Sequence, residues 1–308
     1  MINLFFLRLA FFSLIAAFIL LFGLISSVHA LSSHNQNLQK KYNEIEKQLF
    51  EHSSGLPIYI ESFDEHNTLS GDIYSIISHP FSRISGVLVE PKNWCDISLL
   101  HLNIKACIFK KDENIQKITF YSGRKFYQPP EDAFVLEYQF QVIENQSNYL
   151  KILFTADTGP IDTSDYRMEL EAMPVRGKKT FFRFSYTYRY GLATQAAMEA
   201  YFATLGRNKI GFSIINQDKD NNSVYIDGTR GAIERNSIRY YFAILAYMDT
   251  LRFPEKNRFE QRIQLWYSLT DRYKNQLFEL PREDYISCKK LELQNQIKLQ
   301  EQENQNLK

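Results

Sequence analysis

Three cysteines among 308 residues are too few for a disulfide-scaffolded fold. The six histidines are dispersed and no HxxxH or CxxC pair occurs, so there is no zinc or haem signature. A GxSxG elbow is missing as well. The glycine turn Gly228-Thr229-Arg230-Gly231 precedes a helix but matches neither the P-loop nor the dinucleotide pattern, and it reads as a tight turn. Charge of one sign is also lacking. The 36 Lys and Arg residues face 35 Asp and Glu, and the net +1 gives no global field for nucleic acid or an anionic membrane. No internal repeat recurs at solenoid periods. These absences leave no expected metal, no expected cofactor and no nucleic-acid partner.

What is present begins with apolar material: 44% of residues are hydrophobic and 15% aromatic, enough for a real core. The start of the chain reads as a targeting segment. Arg8 is the only charged side chain before the apolar run Leu9 to Ile25, and Ser26-Ser27-Val28-His29-Ala30 fits a cut after Ala30. The alternative is an uncleaved anchor, because the run is near the length of a membrane span. Either way the folded part is expected outside the cytoplasm, periplasmic or secreted, or held at the inner membrane by that segment. No later stretch is long and apolar enough to span. A polar helix follows over residues 31–55, with Leu38, Tyr42, Ile45 and Leu49 on one stripe. It reads as a surface helix, with a short coiled-coil spacer or dimer contact as the alternative.

The stretch His101 to Tyr190 reads as six strands with clean parity, roughly 101–109, 115–122, 133–143, 148–157, 165–174 and 179–190. In Phe134–Val142 the even positions are apolar or aromatic. In Tyr166–Ala172 charge stands at each odd position, and in Phe182–Tyr190 the even face is wholly aromatic. Period two means one buried and one wet side. Short connections make neighbours pair antiparallel. One or two further strands precede them, Leu56–Glu61 and Gly71–Ile77. Two short helices come between, one opened by Pro80 and one by Pro91. A helix rich in alanine runs from about Leu192 to Leu205 and stops at Gly206, small enough to approach a sheet closely.

Asp72-Ile73-Tyr74-Ser75-Ile76-Ile77-Ser78-His79-Pro80-Phe81, then Asn93-Trp94-Cys95-Asp96, resemble the strand, helix and tryptophan-bearing helix of the START and Bet v 1-like superfamily. That superfamily includes polyketide cyclases and lipid-transport-like proteins. The resemblance covers about 69–206 and is one of topology. It implies an α+β helix-grip fold, a curved antiparallel sheet of about seven strands wrapped on a long helix. It also implies an apolar cavity for a lipid, sterol or polyketide-like molecule. The sequence departs from the pattern by continuing past Gly206. Residues 207–280 read as a strand pair around the turn Asp218–Asn222 and further helices packed on the same domain. The helix Ala232–Met248, apolar nearly all round after Tyr240, is a rival cover for the sheet. Residues 281–308 read as a polar helical tail that frays.

Few residues carry candidate chemistry. Cys95 and Cys107 flank one helix-to-strand corner, so a disulfide is expected, with Cys288 left single. His101 with Asp96 or Asp157 is a weak hydrolytic possibility against a structural histidine. Arg235 and Arg239 are four apart on one helix face. They either pair internally with Asp165, Glu169 or Glu171, or close the polar end of a cavity. With the aromatic inner face they give the candidate ligand residues Tyr138, Phe140, Phe184, Tyr186, Tyr188, Arg235 and Arg239. Three functions compete: a binder of a lipid-like apolar or amphipathic molecule, a structural envelope protein with a solid core and an unknown protein partner, and a cyclase- or hydrolase-like enzyme using the same cavity.

Overall fold

The computed structural model describes residues 33–50, 58–111 and 116–306. The leader read over residues 1–30 lies outside them, as does the start of the strand expected from Leu56. The chain divides into two compact units, residues 1–40 and 41–308. The first unit's described part is the beginning of helix α1 (Ser33–Phe50), and everything below concerns the second. Among the described residues no helix is long and apolar enough to cross a membrane.

The period-two pattern becomes eight antiparallel strands: β1 (Ile58–Glu65), β2 (Thr68–Ile77), β3 (Ile104–Lys111), β4 (Gln116–Ser122), β5 (Phe134–Asn145), β6 (Leu150–Gly159), β7 (Thr163–Val175) and β8 (Lys179–Tyr190). Their order is β1-β2-β8-β7-β6-β5-β4-β3. The eighth strand arises because β1 and β2 form a hairpin. Its turn residues His66 and Asn67 take positive φ, the left-handed turn that matches strand twist. Between β2 and β3 stand α2 (Phe81–Leu88) and α3 (Pro91–Ser98). Cys95 of α3 and Cys107 of β3 lie at disulfide distance, 4.9 Å between their Cα atoms.

Register follows parity. Leu170 pairs with Phe184 on the inner face, and Glu169 and Glu171 lie beside Arg183 on the outer. Those outer charges are partnered. Arg183 meets Asp72, Glu169 and Glu171 at 2.7, 2.8 and 2.6 Å, and Lys151 meets Glu169 at 3.3 Å. The later part of α1 packs on this face: Tyr42 meets Phe181, and Lys41 bonds Glu61 at 2.7 Å.

The helix that the sheet grips is α5 (Gly228–Thr250), the rival cover, and not the alanine-rich α4 (Leu192–Ala203). The reason is apolar area. From Tyr240 to Met248 nearly every side chain of α5 is buried, and a buried Phe or Ile contributes about 1.5–3 kcal/mol. The alanines of α4 have little to bury and stay exposed. Gly71 of β2 lets α5 come close: a Cβ there would stand 2.9 Å from Ser237 Oγ. Glu234 of α5 is fully buried and fastens the chain ahead of the helix. It accepts from the Ser62 and Ser213 hydroxyls and from the Phe212 and Ser213 amides. That chain carries the small exposed hairpin β9 (Ile214–Gln217) and β10 (Ser223–Tyr225).

After α5 come α6 (Glu255–Asp271), the short α7 (Lys274–Leu277) and α8 (Arg282–Asn306). The tail expected to fray is ordered helix packed along the β3 edge. Its inward stripe is polar: Tyr285, Lys289, Glu292 and Gln296 are buried. Glu292 bonds Lys105 at 2.7 Å and Lys289 at 2.6 Å. Gln296 accepts from the Cys107 amide, and Gln300 both accepts from and donates to the Phe109 backbone. The edge strand's hydrogen bonds are thus met by side chains in place of a ninth strand.

Candidate functional site

Ala232, Arg235, Asn236 and Arg239 recur at three- and four-residue steps, so they share one face of α5. That face looks toward Tyr166 of β7 and Tyr186 and Tyr188 of β8. Across the gap lies α4, presenting Thr194, Ala197, Met198 and Tyr201. The helix is tied down near its start: the Gly191 amide donates to Asp162 O at 2.8 Å, and the Thr194 hydroxyl donates to Ile161 O. Beneath it is a solvent-open cavity of about 470 Å³, within the range of small-molecule sites.

The wall is a tyrosine cluster. Tyr166 stacks on Tyr188 with centroids 5.3 Å apart, and Tyr186 lies 5.8 Å from Tyr188 and 5.9 Å from Tyr240. Burial first, then neighbouring tyrosines, raises the Tyr186 pKa well above its ordinary value, so the phenol stays protonated as a donor. Four of the seven expected ligand residues line the cavity: Tyr186, Tyr188, Arg235 and Arg239. Tyr138 stands one ring behind, 6.3 Å from Tyr166. Phe140 and Phe184 are solid core, packed on Phe154 and Tyr240. Sequence reasoning omitted Tyr166, although its even position puts it on the same face. It also omitted Lys125 and Asn103, whose loop positions gave no pattern, while Asn236 stood in the cluster with Arg235 and Arg239 without being counted among the ligand residues.

One end of the cavity is cationic. Glu279, in the link between α7 and α8, meets Lys125 at 2.6 Å, Arg239 at 2.9 Å and Lys209 at 3.3 Å. Arg235 instead donates to Ile210 O at 3.0 Å. Three cations therefore pair with one carboxylate, with Arg235 nearby, and none of the anticipated partners Asp165, Glu169 and Glu171 bonds to Arg235 or Arg239. Asp165 pairs with Arg189, and the two glutamates with Arg183. Burial opposes the charge of Glu279, yet Arg239, Lys125 and Lys209 outweigh it and hold the carboxyl below its usual range. Burial, then Arg239, pushes Lys125 down to about 8 and Arg235 down to about 10. This is the signature of a site with excess positive charge.

His101 forms no hydrolytic pair. Asp96 is engaged by Arg262 at 3.0 Å, and Asp157 is exposed whereas the His101 ring is buried. The His101 ring stacks on Tyr240 at 4.4 Å, and its Nδ1 accepts from the Asn103 amide. Among the described residues no group of His, Cys, Asp and Glu is arranged to hold a metal ion.

The eight-stranded antiparallel sheet and the helix it grips define an α+β protein of the helix-grip class. No family model matches the chain, and no curated protein matches it. Solved structures do. The chain is similar to TTHA0849 from Thermus thermophilus, at 9% identity and TM-score 0.39 over 60% of this chain and 99% of that one. It is similar to the Zhui aromatase/cyclase from Streptomcyes sp. R1128, at 10% identity and TM-score 0.36 over 59% and 91%. A third is norcoclaurine synthase from Thalictrum flavum, at 12% identity and TM-score 0.32 over 48% and 81%. The likeness is one of fold.

Proposed function

We propose that this protein binds an amphipathic, lipid-like ligand in the cavity beneath α4, and does so outside the cytoplasm. The observation that carries the reading is the cavity's polarity: tyrosine and aliphatic walls, with Arg235, Arg239 and Lys125 gathered at one end. An apolar slot closed by fixed cations suits a molecule with an apolar body and an anionic head. The leader sequence and the Cys95–Cys107 pair support an oxidising compartment, periplasmic or secreted. Native mass spectrometry and organic extraction of protein purified from the envelope fraction test the reading. An acidic amphiphile should co-purify. A bare protein mass, with no uptake of added fatty acid or lysophospholipid, overturns it. N-terminal sequencing of the same material should begin at Leu31, and an intact Met1 in the membrane pellet would mean an anchored form.

A further inference from the structure

Among the described residues, the lining of the cavity beneath α4 includes three cations, Lys125, Arg235 and Arg239, and no carboxylate. Shared contacts fix where these cations stand. Lys125 Nζ and Arg239 Nη2 both meet Glu279 Oε1, at 2.6 and 2.9 Å, so the two are side by side. Arg235 precedes Arg239 by one turn on the same face of α5. Burial first and then Arg239 lower both Lys125 and Arg235, as like charges held close must. Arg239 Nε is buried without an acceptor, and Arg235 meets the uncharged Ile210 O at 3.0 Å. The local charge does not balance. Glu279 is shared among Lys125, Arg239 and Lys209. The other carboxylate acting on Arg235 is Glu234, whose influence is smaller and whose oxygens already accept from Ser62, Phe212 and Ser213. Four cations against two carboxylates leave two positive charges, in a wall that is otherwise mostly tyrosine and aliphatic.

We infer that the ligand is a phosphate monoester of an apolar body, its doubly charged head held by Lys125, Arg235 and Arg239. This deepens the ligand-binding reading above and rests on it. A desolvated charge without a counter-charge is costly. A carboxylate or a phosphodiester brings one negative charge and leaves the second positive charge unmatched. A monoester brings about −1.5 to −2 charge at pH 7 and three terminal oxygens, one for each lining cation. Two guanidinium forks and one ammonium suit that head, the forks binding paired oxygens and the ammonium acting as a point charge. Glu279 sets the count: by neutralising part of the cluster it leaves an excess of two charges for the ligand.

Calorimetric titration of the mature protein with dodecyl phosphate, methyl dodecyl phosphate, laurate, dodecanol and inorganic phosphate tests this. Dodecyl phosphate should bind about tenfold or more tightly than laurate or the methyl diester, the scale of one further hydrogen bond to a charged group. Dodecanol should bind most weakly of the four amphiphiles. Arg235→Gln removes one of the excess charges and should narrow the ratio of dodecyl phosphate to laurate about tenfold. Equal binding of laurate or the diester, or an unchanged ratio in the variant, overturns the inference while the cavity reading stands. Inorganic phosphate binding as tightly as dodecyl phosphate would mean a site for the free ion and overturns the apolar body. If none of the four amphiphiles binds the native protein, the cavity reading fails and takes the inference with it. Should Arg235→Gln not fold, the phosphorus resonance of dodecyl phosphate bound to the native protein decides. At pH 6 the free monoester is about half ionised in its second step, and the bound phosphorus should resonate at the dianion position. A bound resonance at the monoanion position refutes the doubly charged head.

Discussion

Replacing Arg239 by Ala separates a ligand role from a structural one. Arg239 is 3% exposed, and breaking a buried ion pair ordinarily costs about 3–5 kcal/mol because the other charge is left bare. Here Glu279 would not be bare: Lys125 at 2.6 Å and Lys209 at 3.3 Å remain. The change also removes a desolvated guanidinium whose Nε lacks an acceptor. The backbone carbonyl that receives Trp266 Nε1 at 3.0 Å is retained. The expected stability loss is therefore about 1–2 kcal/mol, read as a shift in the urea midpoint at constant slope. Loss of a charge-assisted hydrogen bond should weaken an anionic amphiphile by about 1.5–3 kcal/mol. Laurate titrated into both proteins measures it. Unchanged affinity together with a stability loss above about 3 kcal/mol would refute the reasoning, because Arg239 would then be a structural partner only.

Thiol labelling without reductant should modify Cys288 alone. Reduction should expose Cys95 and Cys107 and destabilise by about 2–4 kcal/mol, and labelling of all three at the outset would rule the bond out. Glu292→Gln leaves Lys105 and Lys289 facing each other without their carboxylate. It should cost about 3–5 kcal/mol and make α8 the first site of limited proteolysis, whereas wild-type resistance would contradict the buried triad. Stability should rise with pH above about 8. Burial is the main reason that Lys125 and Lys289 are each lowered to about 8, so between there and the ordinary lysine range the unfolded chain holds more protons than the folded one. The cost is in full force below pH 8 and is relieved by up to about 1.4 kcal/mol per pH unit per lysine. The buried tyrosines, with raised pKa values, reverse the trend above about pH 10. Urea midpoints at pH 7, 8 and 9 check this, and a flat profile would count against it.

The sheet was legible because period two writes one face per parity, and its strands tolerate errors of a residue or two at their ends. The same rule already excluded the anticipated partners of the arginines. Asp165, Glu169 and Glu171 are odd-numbered and point away from the face that grips α5. Arg239's true partner, Glu279, lies 40 residues beyond it in a short link that no periodicity marks, and Arg235 instead donates to the Ile210 carbonyl. The identity of the gripped helix was legible in α5, whose apolar girth exceeds that of α4. α8 was legible as a polar helix but its docking was not, because packing is recognised by an apolar stripe and its inward stripe carries Lys289, Glu292, Gln296 and Gln300. Polar residues there satisfy a strand edge and two buried lysines, a demand set by tertiary structure alone.

That glutamine-capped edge has a consequence for how the chain is made. Cys107 and its partner Gln296 are 189 residues apart, so every strand of the sheet is synthesised long before its last edge can be closed. Through that interval β3 presents unpaired amides and carbonyls, a template for any extended neighbour. Closing so long a loop adds to the delay. The growing chain therefore depends on α8 arriving promptly or on another protein shielding β3 until it does.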